Sequence, residues 1–88
     1  MINMAYGFEQ KIAKNDPEVE FYLQENMHFE AWCMIIRHWE GDFDELWEKL
    51  EQETMKKSTP LTDDNIWSLN VEFLYYRDQA ELNEWVNN

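Results

Sequence analysis

Eighty-eight residues make at most one domain, and with 44% apolar and 16% aromatic side chains the chain is no disordered acidic tail. Nineteen acidic residues against seven basic ones leave a net charge of −12, which argues against direct binding to nucleic acid or to an anionic membrane, both of which are held through Lys and Arg. Two glycines and two prolines are too few for a turn-rich sandwich or barrel, and the single cysteine, Cys33, leaves no internal disulfide.

The first segment, residues 2–14, has Ile2, Ala5 or Tyr6, Phe8 and Ile12 at helical spacing, with Gly7 weakening it. Asp16 and Pro17 then read as the cap and first turn of a helix. Pro lacks only an N–H that the first turn leaves unbonded anyway. Glu18 and Glu20 suit the positive end of that helix's dipole. Val19, Tyr22, Leu23, Phe29, Trp32, Cys33, Ile36 and Trp39 continue at helical spacing. The stretch "QENMH" interrupts them. Residues 17–39 are therefore either one helix of about 35 Å or two, with Asn26 capping the second. Gly41 ends the run.

Asp42 opens the next helix through "DFDE", a capping-box pattern with Glu45 at the third helical position. Phe43, Leu46, Trp47 and Leu50 form one apolar stripe, and the helix is expected to run to about Lys57, where Lys56 and Lys57 suit its negative end. "KKSTPLTDDN" is a linker, with Thr62 as the next N-cap and Asp63 and Asp64 in the first turn. In the last segment two templates compete. Trp67, Leu69, Val71 and Phe73 alternate like a strand, whereas Ile66, Leu69, Phe73, Tyr76 and Ala80 fit a helix that continues to Leu82, Trp85 and Val86. Some twenty residues without a turn signal exceed the usual 4–8 of a strand, and Arg77 with Glu81 makes an i,i+4 pair. Helix is the preferred reading, with a strand at 66–73, in an α+β fold, as the alternative. The expected architecture is all-α: one domain, 1–88, built as a small bundle of three to five helices.

Chemistry finds few supports. His28, Cys33 and His38 are five residues apart, which on one helix separates them by about 140°. No metal-ligand motif, calcium loop or phosphate-cradling Gly loop occurs. Neither Ser58 nor Ser68 sits in GxSxG. Cys33 lies among Trp32, Met34, Ile35 and Ile36, surroundings that leave a thiol inert. A bundle this small is expected to have little room for a pocket of ~300 Å³. The expectation is no enzyme, no cofactor and no metal. With no signal-peptide-like start and no run of ~20 apolar residues, the protein is expected to be cytoplasmic and not to engage a membrane.

What remains is surface. "HWEGDFDELWEKLEQE" holds seven carboxylates and one lysine. Asp44, Glu48 and Glu51 make one stripe at i, i+4, i+7, opposite the apolar one. Two further acidic blocks are Asp16–Glu30 and Asp78, Glu81, Glu84. One stripe places a charge every ~5 Å, against one per ~1.7 Å in duplex DNA, so several acidic faces must combine to imitate a duplex. Trp39, at the helix break, and Trp85, near the C-terminus, are the tryptophans expected to be partly exposed, and such residues anchor interfaces. In charge, size and aromatic content the chain resembles the small acidic proteins with which phages and mobile elements block host nucleases, restriction enzymes or CRISPR complexes. That resemblance implies a DNA-mimic inhibitor. The expected function is a non-enzymatic binding protein that presents acidic helix faces to the basic surface of a nucleic-acid-handling protein. The residues expected to meet it are Trp39, Glu40, Asp44, Glu48, Glu51 and Trp85. The alternative is an assembly or regulatory module that docks through exposed aromatics, including self-association as a homodimer.

Overall fold

Five helices carry the computed structural model, which describes residues 7–56 and 60–87. They are α1 (Gly7–Ala13), α2 (Pro17–Gln24), α3 (His28–His38), α4 (Phe43–Thr54) and α5 (Asp63–Asn87). The fold is an all-α bundle, and residues 66–73, the strand alternative, lie within α5. Ile2, Ala5, Tyr6 and Lys57, placed in helices by the sequence, fall outside the described residues.

The helix boundaries follow from local chemistry. The Asp16 carboxylate accepts hydrogen bonds from the N–H groups of Glu18 (3.2 Å) and Val19 (3.4 Å), capping α2 with Pro17 at its first position. The break between α2 and α3 is a C-terminal cap, not an N-terminal one. Asn26 adopts φ 58°, its N–H bonds Leu23 O at 3.1 Å, and Met27 N–H bonds Tyr22 O at 2.8 Å. This pair of bonds closes a helix on a left-handed residue, and Asn tolerates that conformation better than most. The cap on α3 is Met27, which offers no side-chain bond.

α3 stops at His38, three residues before Gly41. Gly41 has another task. A Cβ there would lie 3.2 Å from Cζ2 of the Trp39 indole, whose Nε1 donates to Asp42 O at 3.0 Å. The absence of a side chain at 41 lets that ring fold over the turn. Asp42 caps α4 by accepting from Asp44 N–H at 2.8 Å. α4 ends at Thr54, short of Lys57, and Lys56 turns back to Glu53. At α5, Thr62 Oγ1 accepts from Asn65 N–H (3.1 Å) while Asn65 Oδ1 accepts from Thr62 N–H (3.3 Å), a reciprocal cap with Asn in the usual Glu or Gln place.

α3 is the hub. Ala31, Trp32, Cys33, Ile35 and Ile36 are all buried, a band too wide for contact with one neighbour alone. Val19 of α2, Leu46 and Leu50 of α4, Leu61 of the linker, and Leu69 and Phe73 of α5 close the core around it. Phe73 lies 5.8 Å from Phe43 and 4.9 Å from Trp47 between ring centroids, which fastens α4 to α5. Arg37 joins α3 to α5 through two guanidinium nitrogens, 2.9 and 2.8 Å from one oxygen of Glu72. α5, at ~37 Å, is the longest element, and its last turns leave Leu82, Trp85 and Val86 51–78% exposed.

Candidate functional site

The turn from Trp39 to Asp44 and the C-terminal half of α5 face each other across an open groove of about 390 Å³. Trp39, Phe43 and Ala80 supply its apolar surface. Around them stand five carboxylates, Glu40, Asp42, Asp44, Glu81 and Glu84, and one cation, Arg77. Arg77 is already engaged. Its Nε and Nη2 lie 3.3 and 3.0 Å from Oδ1 of Asp78, so the expected pairing with Glu81 is replaced by one with the next residue. Glu81 and Glu84 have no ion pair among the described residues.

Three of the expected partner-binding residues, Trp39, Glu40 and Asp44, therefore share one groove. Trp39 is its wall more than a free anchor. It is half-buried, its ring centroid 5.9 Å from that of Phe8. Glu48 and Glu51 are exposed on the same stripe of α4 as Asp44, and none of the three has an ion pair among the described residues. Glu48, however, lines a second cleft, and Glu51 lines neither. Trp85 is 78% exposed on α5 and is not part of the groove wall. Glu81 and Glu84 complete the groove. Their block is visible in the sequence, but which helix face stands beside it is a tertiary fact.

The second cleft, between α1 and α4, measures about 600 Å³ and is lined by Lys11, Glu45, Glu48 and Lys49 around Phe8, Ile12 and Trp39. The bundle thus has more concave space than its size suggests. This cleft mixes both charge signs, and its lining contains no His, Ser or Cys. The Lys49 ammonium sits 5.8 Å over the Phe8 ring, close enough for cation–π attraction.

His38 meets two acids, with Nδ1 2.6 Å from Asp16 Oδ2 and Nε2 3.9 Å from Glu18 Oε1. Burial alone would raise the Asp16 carboxyl. The His38 hydrogen bond, the Val19 and Glu18 N–H groups and the His38 charge outweigh it and hold Asp16 below its ordinary value. The contact joins the C-terminus of α3 to the N-terminus of α2, a clamp between opposite helix-dipole ends. Cys33 is buried, and its thiol is pushed up to about 11 by burial and by the nearby Glu72 charge.

A buried acidic pair lies where sequence periodicity did not point. Glu9 is 1% and Glu53 4% exposed. Burial, aided by the Glu53 charge, pushes the Glu9 carboxyl up to about 7. Lys56, bonded to Glu53 at 2.8 Å, and the Trp32 indole oppose that shift. His28 Nδ1 lies 3.9 Å from Glu9 Oε2. Glu53 has a signal in hindsight: it follows Leu46 and Leu50 at seven and three residues, on their face of α4.

Among the described residues no three His, Cys, Asp or Glu side chains gather in a way that could hold a metal, and no helix is long and apolar enough to cross a membrane. Comparison with protein-family models, with curated proteins and with solved structures finds no match.

Proposed function

We propose that the protein is a non-enzymatic binding protein that covers the basic surface of a nucleic-acid-handling partner, in the manner of an anti-defence or DNA-mimic inhibitor. The observation that carries this reading is the groove between α4 and α5, where carboxylates from two helices stand together over an aromatic wall with their one cation already paired. A single helix is too sparse in charge to stand in for a duplex, and a second acidic face beside it raises the density. An Arg or Lys of the partner, entering the groove, meets carboxylates together with the aromatic side chains of Trp39 and Phe43. Both contacts favour a cation, and the planar guanidinium most of all. The net charge of −12 adds long-range steering toward a basic surface.

The test is affinity capture from the native host at low and high salt, with the captured proteins identified by mass spectrometry. The expected result is a set of basic nucleic-acid-binding proteins that elute as salt rises. The triple variant Asp44→Lys, Glu81→Lys, Glu84→Lys should not capture them. Equal capture by that variant, or capture indifferent to salt, contradicts the reading. The alternative, docking through exposed aromatics, draws its support from α5, where Trp67, Tyr75 and Trp85 are 57–78% exposed.

A further inference from the structure

α5 has a second apolar face that the bundle does not use. Leu69 and Phe73 are buried against the core, with Ile66 and Tyr76 partly covered beside them. On the other side Trp67, Val71, Leu74, Leu82 and Trp85 are 45–78% exposed, and Tyr75 adjoins them at 57%. With Asp78 in the middle, these residues follow one another at steps of four, three, four, four and three. The mean step is that of the helix itself, ~3.6, so the stripe runs parallel to the axis for ~27 Å. Large aromatic side chains present 150–250 Å² each, so Trp67, Tyr75 and Trp85 alone leave about 400 Å² in water. With the aliphatic residues the stripe passes the ~300–600 Å² of the largest patch on an ordinary monomer. It approaches the ~800 Å² that each partner gives to a standard interface.

Charge says what covers it. Asp63, Asp64, Glu72, Asp78, Glu81 and Glu84 lie on α5 with Arg77 as the one cation. A second copy would bring the same acidic helix and a further −12 against it. It would also bury Asp78 at the centre of the seam, where Arg77 of its own chain already bonds Oδ1 and the second copy brings an Arg77 engaged in the same way. A polar residue at one seam position is a known selector of partner and register, and here it selects for Lys or Arg. We infer that the outer face of α5 docks a basic amphipathic helix of a partner protein. The stripe receives that helix's apolar seam, and the exposed carboxylates of Asp64 and Asp78, outside the groove, receive its cations. The inference rests on the basic-partner reading above and names the surface that would supply the apolar part of binding.

Three synthetic helical peptides of about 22 residues, long enough to span the stripe, test it against the full chain by calorimetry at about 50 mM salt. The first has a Leu seam flanked by Lys, with one Lys at the seam centre. The second has the same composition scrambled so that no apolar face forms. The third has Glu for Lys. The first should bind at least tenfold more tightly than either of the others. The double variant Trp67→Ser, Leu82→Gln should lose that advantage while keeping the wild-type circular dichroism and melting temperature. Equal binding of the scrambled peptide, equal binding of the Glu peptide, or no binding at all overturns the inference. So does a micromolar dimer, seen by sedimentation, that Trp67→Ser dissolves, because the face then belongs to a second copy. Failure here with salt-sensitive capture through the groove removes the α5 surface alone. Peptide binding here with capture unchanged by the groove variant removes the groove reading alone.

Discussion

α4 and α5 cover the same core and turn opposite kinds of face to water. Outside its Leu46 and Leu50 contacts α4 presents Asp44, Glu48 and Glu51. α5, beyond Leu69 and Phe73, presents Trp67, Val71, Leu74, Leu82 and Trp85. The first arrangement is what folding and solubility ask of a surface helix. The second opposes solubility and adds nothing to the core. The contrast teaches which of the two surfaces calls for a use outside the fold. An acidic face can be no more than a solvated one, whereas an apolar stripe of this length is a liability unless something covers it. At the groove, away from that stripe, both helices are acidic: Asp44 of α4 stands across from Glu81 and Glu84 of α5.

The sharpest way to break the contrast is to truncate α5 on each side. Phe73→Ala removes a buried ring that touches Phe43 and Trp47, and should cost ~3–5 kcal/mol in urea unfolding. Trp67→Ala and Leu82→Ala should change stability by no more than ~0.5 kcal/mol. Comparable losses on both sides would mean that the outer face is part of the fold.

The next largest effect concerns the acid that α4 does bury and its neighbour on α1. Glu9 titrates at about 7 in the folded chain against an ordinary 4.5. The unfolded chain gives up this proton first, so rising pH favours unfolding between those two values. Stability should fall across that window by up to ~3 kcal/mol, with the loss complete by about pH 8. Glu9→Gln should flatten that dependence, measured as unfolding midpoints from pH 4.5 to 8. An unchanged slope in the variant would place the titration elsewhere.

Smaller effects sharpen the picture of the helix ends and the outer acids. Thr62→Ala breaks the reciprocal cap with Asn65 and should lower stability by ~1 kcal/mol in thermal melts, whereas a change within error would mean that solvent replaces the cap at no loss. Glu48→Lys should leave stability within ~0.5 kcal/mol and shift it upward at low salt, because it relieves repulsion on an exposed stripe. A clear loss at low salt would show that Glu48 has a stabilising partner.

Much of this fold is legible in the residues. Asp16 with Pro17, Asp42, and Thr62 mark three helix starts through bonds that only a short polar side chain at that place can make. The length of the last periodic segment decides helix over strand. Asn26 is legible as a break but not as to its side: the same residue type can cap a helix start or close a helix end in the left-handed region, and only the bonds from Asn26 and Met27 N–H distinguish the two. The candidate site is half legible. Trp39, Glu40 and Asp44 stand close together in the chain, and a local reading reaches them. Glu81 and Glu84 join them through tertiary packing, with Leu69 in the core, Glu72 bonded to Arg37, and Phe73 against Phe43 and Trp47. The outer stripe of α5 was hidden for another reason. Trp67 and Val71 fall in the strand pattern, Leu82 and Trp85 in the helix pattern and Leu74 in neither, and a helix apolar on two faces has no single direction to read.

The central claim is that a basic partner is held by two surfaces at once, an acidic groove and an apolar stripe. Titration of the captured partner at about 50 and about 500 mM salt, with wild type and with Trp67→Ser, Leu82→Gln, tests it most directly. The account predicts that wild-type affinity falls steeply with salt, and that the variant is weaker at both concentrations with the same salt dependence. Binding that ignores salt, or a variant indistinguishable from wild type at both concentrations, would contradict it.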